Sequence, residues 1–399
     1  MIAMLVGVLG TIATAGLLLQ VIFVFGTWKV FKRRMIDSSH RPPVSVLRPI
    51  CGLDDDFEDN LRSVMELSYP SFEVIVIAAS ADDAALQVVR RVQARYPSVP
   101  LKVVVTGPSP DKNPKVASLI AGAREARHDW LLVSDSNVRV HPDYLRRLAN
   151  LAGSPEVGMV SNLVVGTGAE TLGAQLENMQ LNGYLLPATA AADSVAHVSC
   201  VMGKSMFFRR STLGVVGGFS PFLSYLAEDY LLARAVSRAG QRVVISPDLL
   251  CTVNRTWSFR RFLSRHLRWN QIRYRLSPLA YVVEGLTMPS VPLLGLAIVG
   301  LVRSHDGLLM AALLMLLLRL LLQGLTELPI RSTVRAGLVW PLLVLLRDLF
   351  AWGIWLLAPL RPTVSWRGRS YRLGPDTRIE PLAARQRQKD VFRPEAAEA

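Results

Sequence analysis

Residues 5–25 carry no charge, and a run of this kind dictates an environment before it dictates a fold. About 20 apolar residues rising ~1.5 Å each cover a hydrocarbon core of ~30 Å, and backbone amides in that core must be bonded within the segment. The run is therefore expected to be a transmembrane helix, an anchor drawn over residues 1–27. No basic residue precedes it and no small-residue cleavage site follows, so the anchor stays attached. Lys29, Lys32, Arg33 and Arg34 come directly after it. Basic flanks stay on the cytoplasmic side, which puts the N-terminus outside and the next segment in the cytoplasm.

Three more apolar runs lie near the other end, at 279–302, 307–325 and 338–357. The first two, joined by Arg303, Ser304, His305 and Asp306, read as a hairpin across the bilayer. The third contains Arg347 and Asp348, and charges at membrane depth are costly. A basic tail, 360–399, also favours the inside, so a re-entrant or interfacial third run stays open beside a simple crossing. Just before these runs, residues 259–276 (FRRFLSRHLRWNQIRYRL) put Phe259, Phe262, Leu263, Trp269, Ile272 and Leu276 largely on one side among arginines. That is the pattern of a helix lying in the membrane interface. The last dozen residues read as a disordered end.

Between the apolar ends the composition is that of a soluble protein. The formal charge is +14 with its basic residues beside the apolar runs, which suits anionic lipid or an anionic nucleotide. No helix-turn-helix, zinc-finger or RNP pattern accompanies the charge, which argues against nucleic acid. Cys51, Cys200 and Cys251 are scattered and odd in number, implying a reducing compartment and no structural zinc.

From Pro42 onward strand and helix patterns alternate: strands at 44–47, 72–79, 101–105 and 130–134, helices at 57–67, 84–95 and 115–126. Such spacing builds right-handed βαβ units, hence an α/β domain with a mostly parallel sheet, drawn over residues 40–258. Neither GxGxxG nor Walker A is present, which excludes the usual dinucleotide and P-loop sites.

The strand at 130–134 stops at Asp135, followed by Ser136 and Asn137. Ligand crevices of open α/β sheets lie beyond the carboxyl ends of the strands, where a D-x-[DN] step is placed to hold a divalent cation and a phosphate. The same residues also make ordinary turns. Asp82 and Asp83 follow the second strand, Glu228 and Asp229 precede LLARAV, and Arg265, Arg268 and Trp269 form RxxRW. An E-D pair is equally good chemistry for a helix N-terminus, and Trp with Arg is equally an interfacial anchor.

Together these features resemble a processive-type family 2 glycosyltransferase fold of the GT-A type, and within it the ceramide glucosyltransferases. The resemblance runs through VLRPICGLDDDFEDNLRS, NPKVASL, SDSNVRVHPDYL, LAEDYLLA, RHLRW and SWRGRSYRL. It implies an inverting transfer of a sugar, glucose first, from a UDP donor to the primary hydroxyl of ceramide. By this resemblance Asp229 is the general base. Asp135 holds the divalent cation, Mg²⁺ or Mn²⁺, and Lys115 faces the nucleotide. Either Asp82 or Asp83 lies at the uridine, and Arg265, Arg268 and Trp269 close over the diphosphate and acceptor. Related enzymes with D-x-D offer two carboxylates, whereas Asn137 brings only a neutral oxygen to the metal. His197 and Cys200, upstream of Gly203, stand near the active site in the family and read equally well as buried structural residues. His266, inside RxxRW, reads as an interface residue.

The nearest rival is a UDP-GlcNAc-dependent hopanoid glycosyltransferase with the same motifs. A processive polysaccharide synthase is disfavoured by the few spans, and a non-catalytic scaffold by the intact acidic and RxxRW motifs. The expected location is a bacterial inner membrane, or a Golgi membrane in a eukaryote, with the catalytic domain cytoplasmic.

Overall fold

Strands flanked by apolar residues on both faces need cover on both sides, which is what a parallel α/β sheet provides. In the computed structural model, which describes residues 1–33, 38–109, 112–285, 288–334, 337–366 and 369–382, that sheet has eight strands. They are β1 (Val44–Pro49), β2 (Phe72–Ala78), β3 (Leu101–Val105), β4 (Trp130–Ser134), β5 (Val138–Arg139), β6 (Val157–Thr167), β7 (Ser205–Arg209) and β8 (Arg242–Val253). Their order is β3-β2-β1-β4-β7-β6-β8-β5. β1 to β4 form the parallel half, with Val44 opposite Phe72 and Trp130. β7 then runs antiparallel to both β4 and β6, and β5 antiparallel to β8. Helices Phe57–Met65, Ala85–Arg95 and Pro114–Glu125 fall where the 3.6-residue pattern puts them. Arg34, Arg367 and the tail from residue 383, where the disordered end is expected, lie outside the described residues.

The chain forms two compact units. One gathers 32–168, 198–255 and 365–399 around the large sheet, and the other gathers 1–31, 169–197 and 256–364. This division differs from a contiguous domain over 40–258 because residues 169–197 join the apolar helices. Their cause is local. Gly26 of the first helix lies where an added Cβ would come 2.5 Å from Ala191 Cα, so the helices Ile2–Phe31 and Leu186–Ser194 meet backbone to backbone. Phe23 and Tyr184 pack edge to face beside that contact, 6.0 Å apart. Conversely, the segment after 365 belongs with the sheet unit. β9 (Thr363–Trp366), β10 (Arg369–Leu373) and β11 (Ile379–Pro381) form a small second sheet. Beside it, residues 376–379 clasp the loop 224–227: Leu226 N–H donates to Thr377 O, Ala227 N–H to Thr377 Oγ1, and Ile379 N–H to Ser224 O.

Within the apolar unit, three helices are long and apolar enough to cross a bilayer, Ile2–Phe31, Asp306–Ile330 and Trp340–Leu360. The run at 279–302 is not one helix: Pro278–Gly285 and Ser290–Val302 are bent by 41°, with Pro289 at the start of the second piece. The expected hairpin is kept by the second piece and Asp306–Glu327, joined through Ser304 in a left-handed conformation. Arg347 and Asp348 solve their cost by burial in a polar cluster. Asp348 lies 3.1 Å from Arg319 and 2.6 Å from Arg347, and accepts from Ser290 Oγ at 2.5 Å. Adjacent residues on a helix do not normally face each other, yet here the long Arg347 side chain curls back to its neighbour. The pair is thus closed within a cluster of its own.

Toward the protein, the helix Phe259–Leu276 buries Phe262, His266, Asn270 and Gln271. Bonds explain the choice: Asn270 Nδ2 donates to His266 O, and Gln271 Nε2 donates to Arg361 O and Thr363 O.

Candidate active site

Asp135 leaves the end of β4, and its turn is built from beneath by an arginine. Arg48, fully buried on β1, donates to Ser134 Oγ at 3.2 Å, Ser136 O at 2.9 Å and Val138 O at 3.3 Å. Burial lowers its pKa to about 10 against the pull of Asp135 and Asp54. Ser136 Oγ bonds Asp54 Oδ2 at 2.5 Å. The strand end is thereby fixed, and Asp135 is left 26% exposed.

Lys115 comes to Asp135 on a helix whose start is written as N-P-K. Asn113 caps it by accepting from Lys115 N–H and Val116 N–H, and proline takes the first position. The Asn113 amide then donates to Glu228 Oε2 at 3.0 Å. Lys115 Nζ reaches Asp135 Oδ1 at 2.8 Å, Gly203 O at 2.8 Å and Glu228 Oε1 at 3.6 Å. Burial works against its charge, but Asp135, Glu228 and Asp229 outweigh that and raise its pKa.

Asp229 sits in the first turn of the helix Glu228–Arg238. Gly203 N–H donates to its Oδ2 at 2.6 Å and Tyr230 N–H to its Oδ1 at 2.8 Å. Only glycine fits at 203: an added Cβ would stand 2.8 Å from Asp229 Oδ2 and 3.0 Å from Lys115 Nζ. Burial raises the pKa of Asp229 against Lys115 and these backbone bonds. Burial also pushes Glu228 up to about 7, with Lys115 opposing and Asp229 adding to the rise.

Lys204 was signalled by no motif. Its ammonium donates to Asn137 Oδ1 at 2.8 Å and stands 4.0 Å from Asp135 Oδ2, in a side chain 7% exposed. A hard divalent cation needs oxygen donors, and Asp135 and Asn137 could offer it two, the Asn137 oxygen also accepting from Lys204. Among the described residues no three carboxylates, histidines or cysteines are gathered as a metal cage. The arrangement fits a cation that shares its ligands with a bound diphosphate.

Of the other expected residues, Asp83 takes Gly52 N–H and Ala85 N–H on its two oxygens, both at 2.9 Å, whereas Asp82 is exposed. His197 is exposed with a left-handed backbone and Cys200 half-buried, so His197 is no buried structural residue. Arg265, Arg268 and Trp269 belong to the apolar unit. There Arg265 lies over Trp257 and Trp269, 4.9 and 4.3 Å from the ring centres, and 3.5 Å from the buried Glu177. His266, expected at an interface, is buried and bonded to Glu177 at 2.7 Å. Asn113, Gly203 and Lys204 carry as much of the sheet-unit cluster as the acidic residues do.

Known proteins share this architecture. The chain matches glycosyl transferase family 21 over residues 9–379. Ceramide glucosyltransferase 3 of Caenorhabditis elegans is 28% identical over 349 residues, which cover 84% of this chain and 74% of that protein. Ceramide glucosyltransferase 1 of the same organism is 30% identical over 246 residues, 61% of this chain and 53% of the relative. A mannosyltransferase from Pyrobaculum calidifontis, solved in complex with GDP-Man and Mn²⁺, has a TM-score of 0.54 at 16% identity, covering 89% of this chain and 99% of its own. That likeness is one of fold, the GT-A type. The chain belongs to glycosyl transferase family 21 and is a sugar-nucleotide-dependent glycosyltransferase.

Proposed function

We propose that the protein transfers glucose, with inversion, from UDP-glucose to the primary hydroxyl of ceramide at a membrane. The observation that carries this reading is the Asp229 carboxylate, fixed by the Gly203 and Tyr230 amides within a Lys115-centred cluster that also contains Asp135. An inverting transfer needs one base at the acceptor hydroxyl and positive charge at the departing diphosphate. Asp229 is that base, and Lys115 bears the charge on the donor side. Asp135 is the residue that would hold Mg²⁺ or Mn²⁺ with the donor's phosphates, where the cation would neutralise the leaving UDP. Asp83 holds the loop at Gly52 beside the nucleoside, with Asp82 outside it. Arg265, Arg268 and Trp269 serve the diphosphate and acceptor, guanidinium forks being suited to phosphate oxygens. The relatives' names support the choice of ceramide and glucose, and the apolar helices support a lipid acceptor and a membrane location. The sheet unit is cytoplasmic, on the strength of Lys29, Lys32 and Arg33 behind the first helix.

The test is product analysis by mass spectrometry. Membranes containing the protein are given UDP-glucose or UDP-N-acetylglucosamine with ceramide or a hopanoid. A hexosylceramide made from UDP-glucose is expected, and Asp229→Asn should bind UDP while transferring about 10²–10⁴-fold more slowly. A glycosylated hopanoid with ceramide untouched would overturn the acceptor assignment, and full activity of the variant would remove Asp229 as base.

A further inference from the structure

Asp135 is flanked by two ammonium groups from different parts of the sheet unit. Lys115 approaches Oδ1 at 2.8 Å from a helix start, and Lys204 stands 4.0 Å from Oδ2 just before β7 while bonding Asn137 at 2.8 Å. Both lysines are nearly closed to solvent, 11% and 7% exposed, and lysine is seldom buried to that extent unless paired. The pairing of Asn137 with Lys204 changes the electrostatics of the D-x-[DN] turn. A second carboxylate there would call for a divalent cation to offset it. Here the second position is neutral, and a positive charge with three donors already lies against it. A cation bound by both Asp135 and Asn137 would share the Asn137 oxygen with that ammonium and feel its charge.

We infer that Lys204 and Lys115 form a two-lysine clamp for the diphosphate of the sugar nucleotide, Lys204 supplying at the D-x-[DN] turn part of the charge that D-x-D enzymes take from their metal. Donor binding then persists when no divalent cation is present. The inference rests on the reading of this cluster as the donor site. Lys204 acts on phosphate oxygens by charge-assisted hydrogen bonds, which need no rearrangement of Asp135 or of the β4 end.

The test is UDP binding by titration calorimetry to the full chain in detergent, in EDTA and again in Mn²⁺, for wild type, Lys204→Met and Lys204→Arg. Thermal melting of each variant checks that it is folded. Wild type is expected to bind UDP in EDTA. Lys204→Met should lose about tenfold or more in EDTA, with a smaller loss in Mn²⁺, and Lys204→Arg should recover most of it. Binding in EDTA that is equal for wild type and Lys204→Met overturns the clamp, as does wild-type binding that requires Mn²⁺. Should Lys204→Met fail to fold, Lys204→Arg and Lys204→Gln decide: equal affinity of these two in EDTA also overturns it. Failure of wild type to bind UDP in either medium overturns instead the donor-site reading beneath it.

Discussion

Gly203 shows how little room the candidate site leaves. Its amide donates to Asp229 and its carbonyl accepts from Lys115, so the backbone of one residue joins the Asp229 carboxylate to the Lys115 ammonium. On the proposed role of Asp229, Gly203→Ala should lower kcat by about 10²-fold or more, since the new methyl must push that carboxylate off its place. Steady-state kinetics with a melting curve would separate this from unfolding. Glu228 makes a second prediction, about pH. Its folded pKa is raised to about 7 from an unfolded 4.5, so between those values the folded protein binds the extra proton. Stability should therefore fall as pH rises through that window, and Glu228→Gln should remove the slope and stabilise the protein above pH 7 by on the order of 1–3 kcal/mol. Melting from pH 5 to pH 8 checks it: a slope unchanged in the variant would assign the dependence to another group. Asp135 and Asp229 stood out in the sequence because acids at strand ends and helix starts carry a local pattern, and Lys115 only through the family resemblance. Lys204 was not, because its partner Asn137 is 67 residues away and nothing near it marks a lysine as buried. Asn113 was quoted only as part of a motif, its double duty as cap and Glu228 partner being visible in three dimensions alone.

Among the secondary-structure elements, those of the first βαβ units were readable almost to the residue, since β1, β2 and β4 are buried on both faces and each helix has one apolar side. Legibility ended where polar partners replace apolar periodicity. The helix Phe259–Leu276 buries His266 and Gln271 because Glu177 and the carbonyls of Arg361 and Thr363 await them, and amphipathicity cannot signal such partners. The helix Trp340–Leu357 holds Asp348 against two fully buried arginines. Asp348→Ala leaves both without their carboxylate and should destabilise the protein by about 3–5 kcal/mol, read as a lowered melting temperature in detergent. A melting temperature equal to wild type would show that the cluster is dispensable. The clasp by residues 376–379 makes a different prediction. Thr377→Ala removes the hydroxyl that caps Ala227 N–H, next to Glu228 and Asp229. The expected stability loss is small, about 1 kcal/mol, with kcat falling more than KM rises, because the carboxylates lose alignment rather than the donor losing contacts. A rise in KM at unchanged kcat would contradict it.

The course of the chain through its two units has its own consequence. Residues 169–197 leave the sheet unit to pack on the first apolar helix and then return, and the chain comes back once more after 365. A piece cut as 40–258 would carry an apolar excursion without its partner helix and lack the clasp at 376–379. We expect such a piece to aggregate when expressed without detergent, and size-exclusion chromatography would show it; a monodisperse, UDP-binding fragment would refute this. The parallel half of the sheet, β1 to β4, was visible as alternation, but the interleaving was not, since it depends on which apolar stretch finds Gly26 rather than on local pattern. Synthesis adds a matter of timing. Ribosomes deliver Asp135, Lys115 and Asp229 well before Thr377, and the backbone of 224–227, already bonded by Asn113 at Tyr225 O, gains its remaining bonds when Thr377 and Ile379 arrive. A nascent chain would thus insert its first helix and fold most of its sheet before residues 376–379 close on the loop beside Glu228 and Asp229.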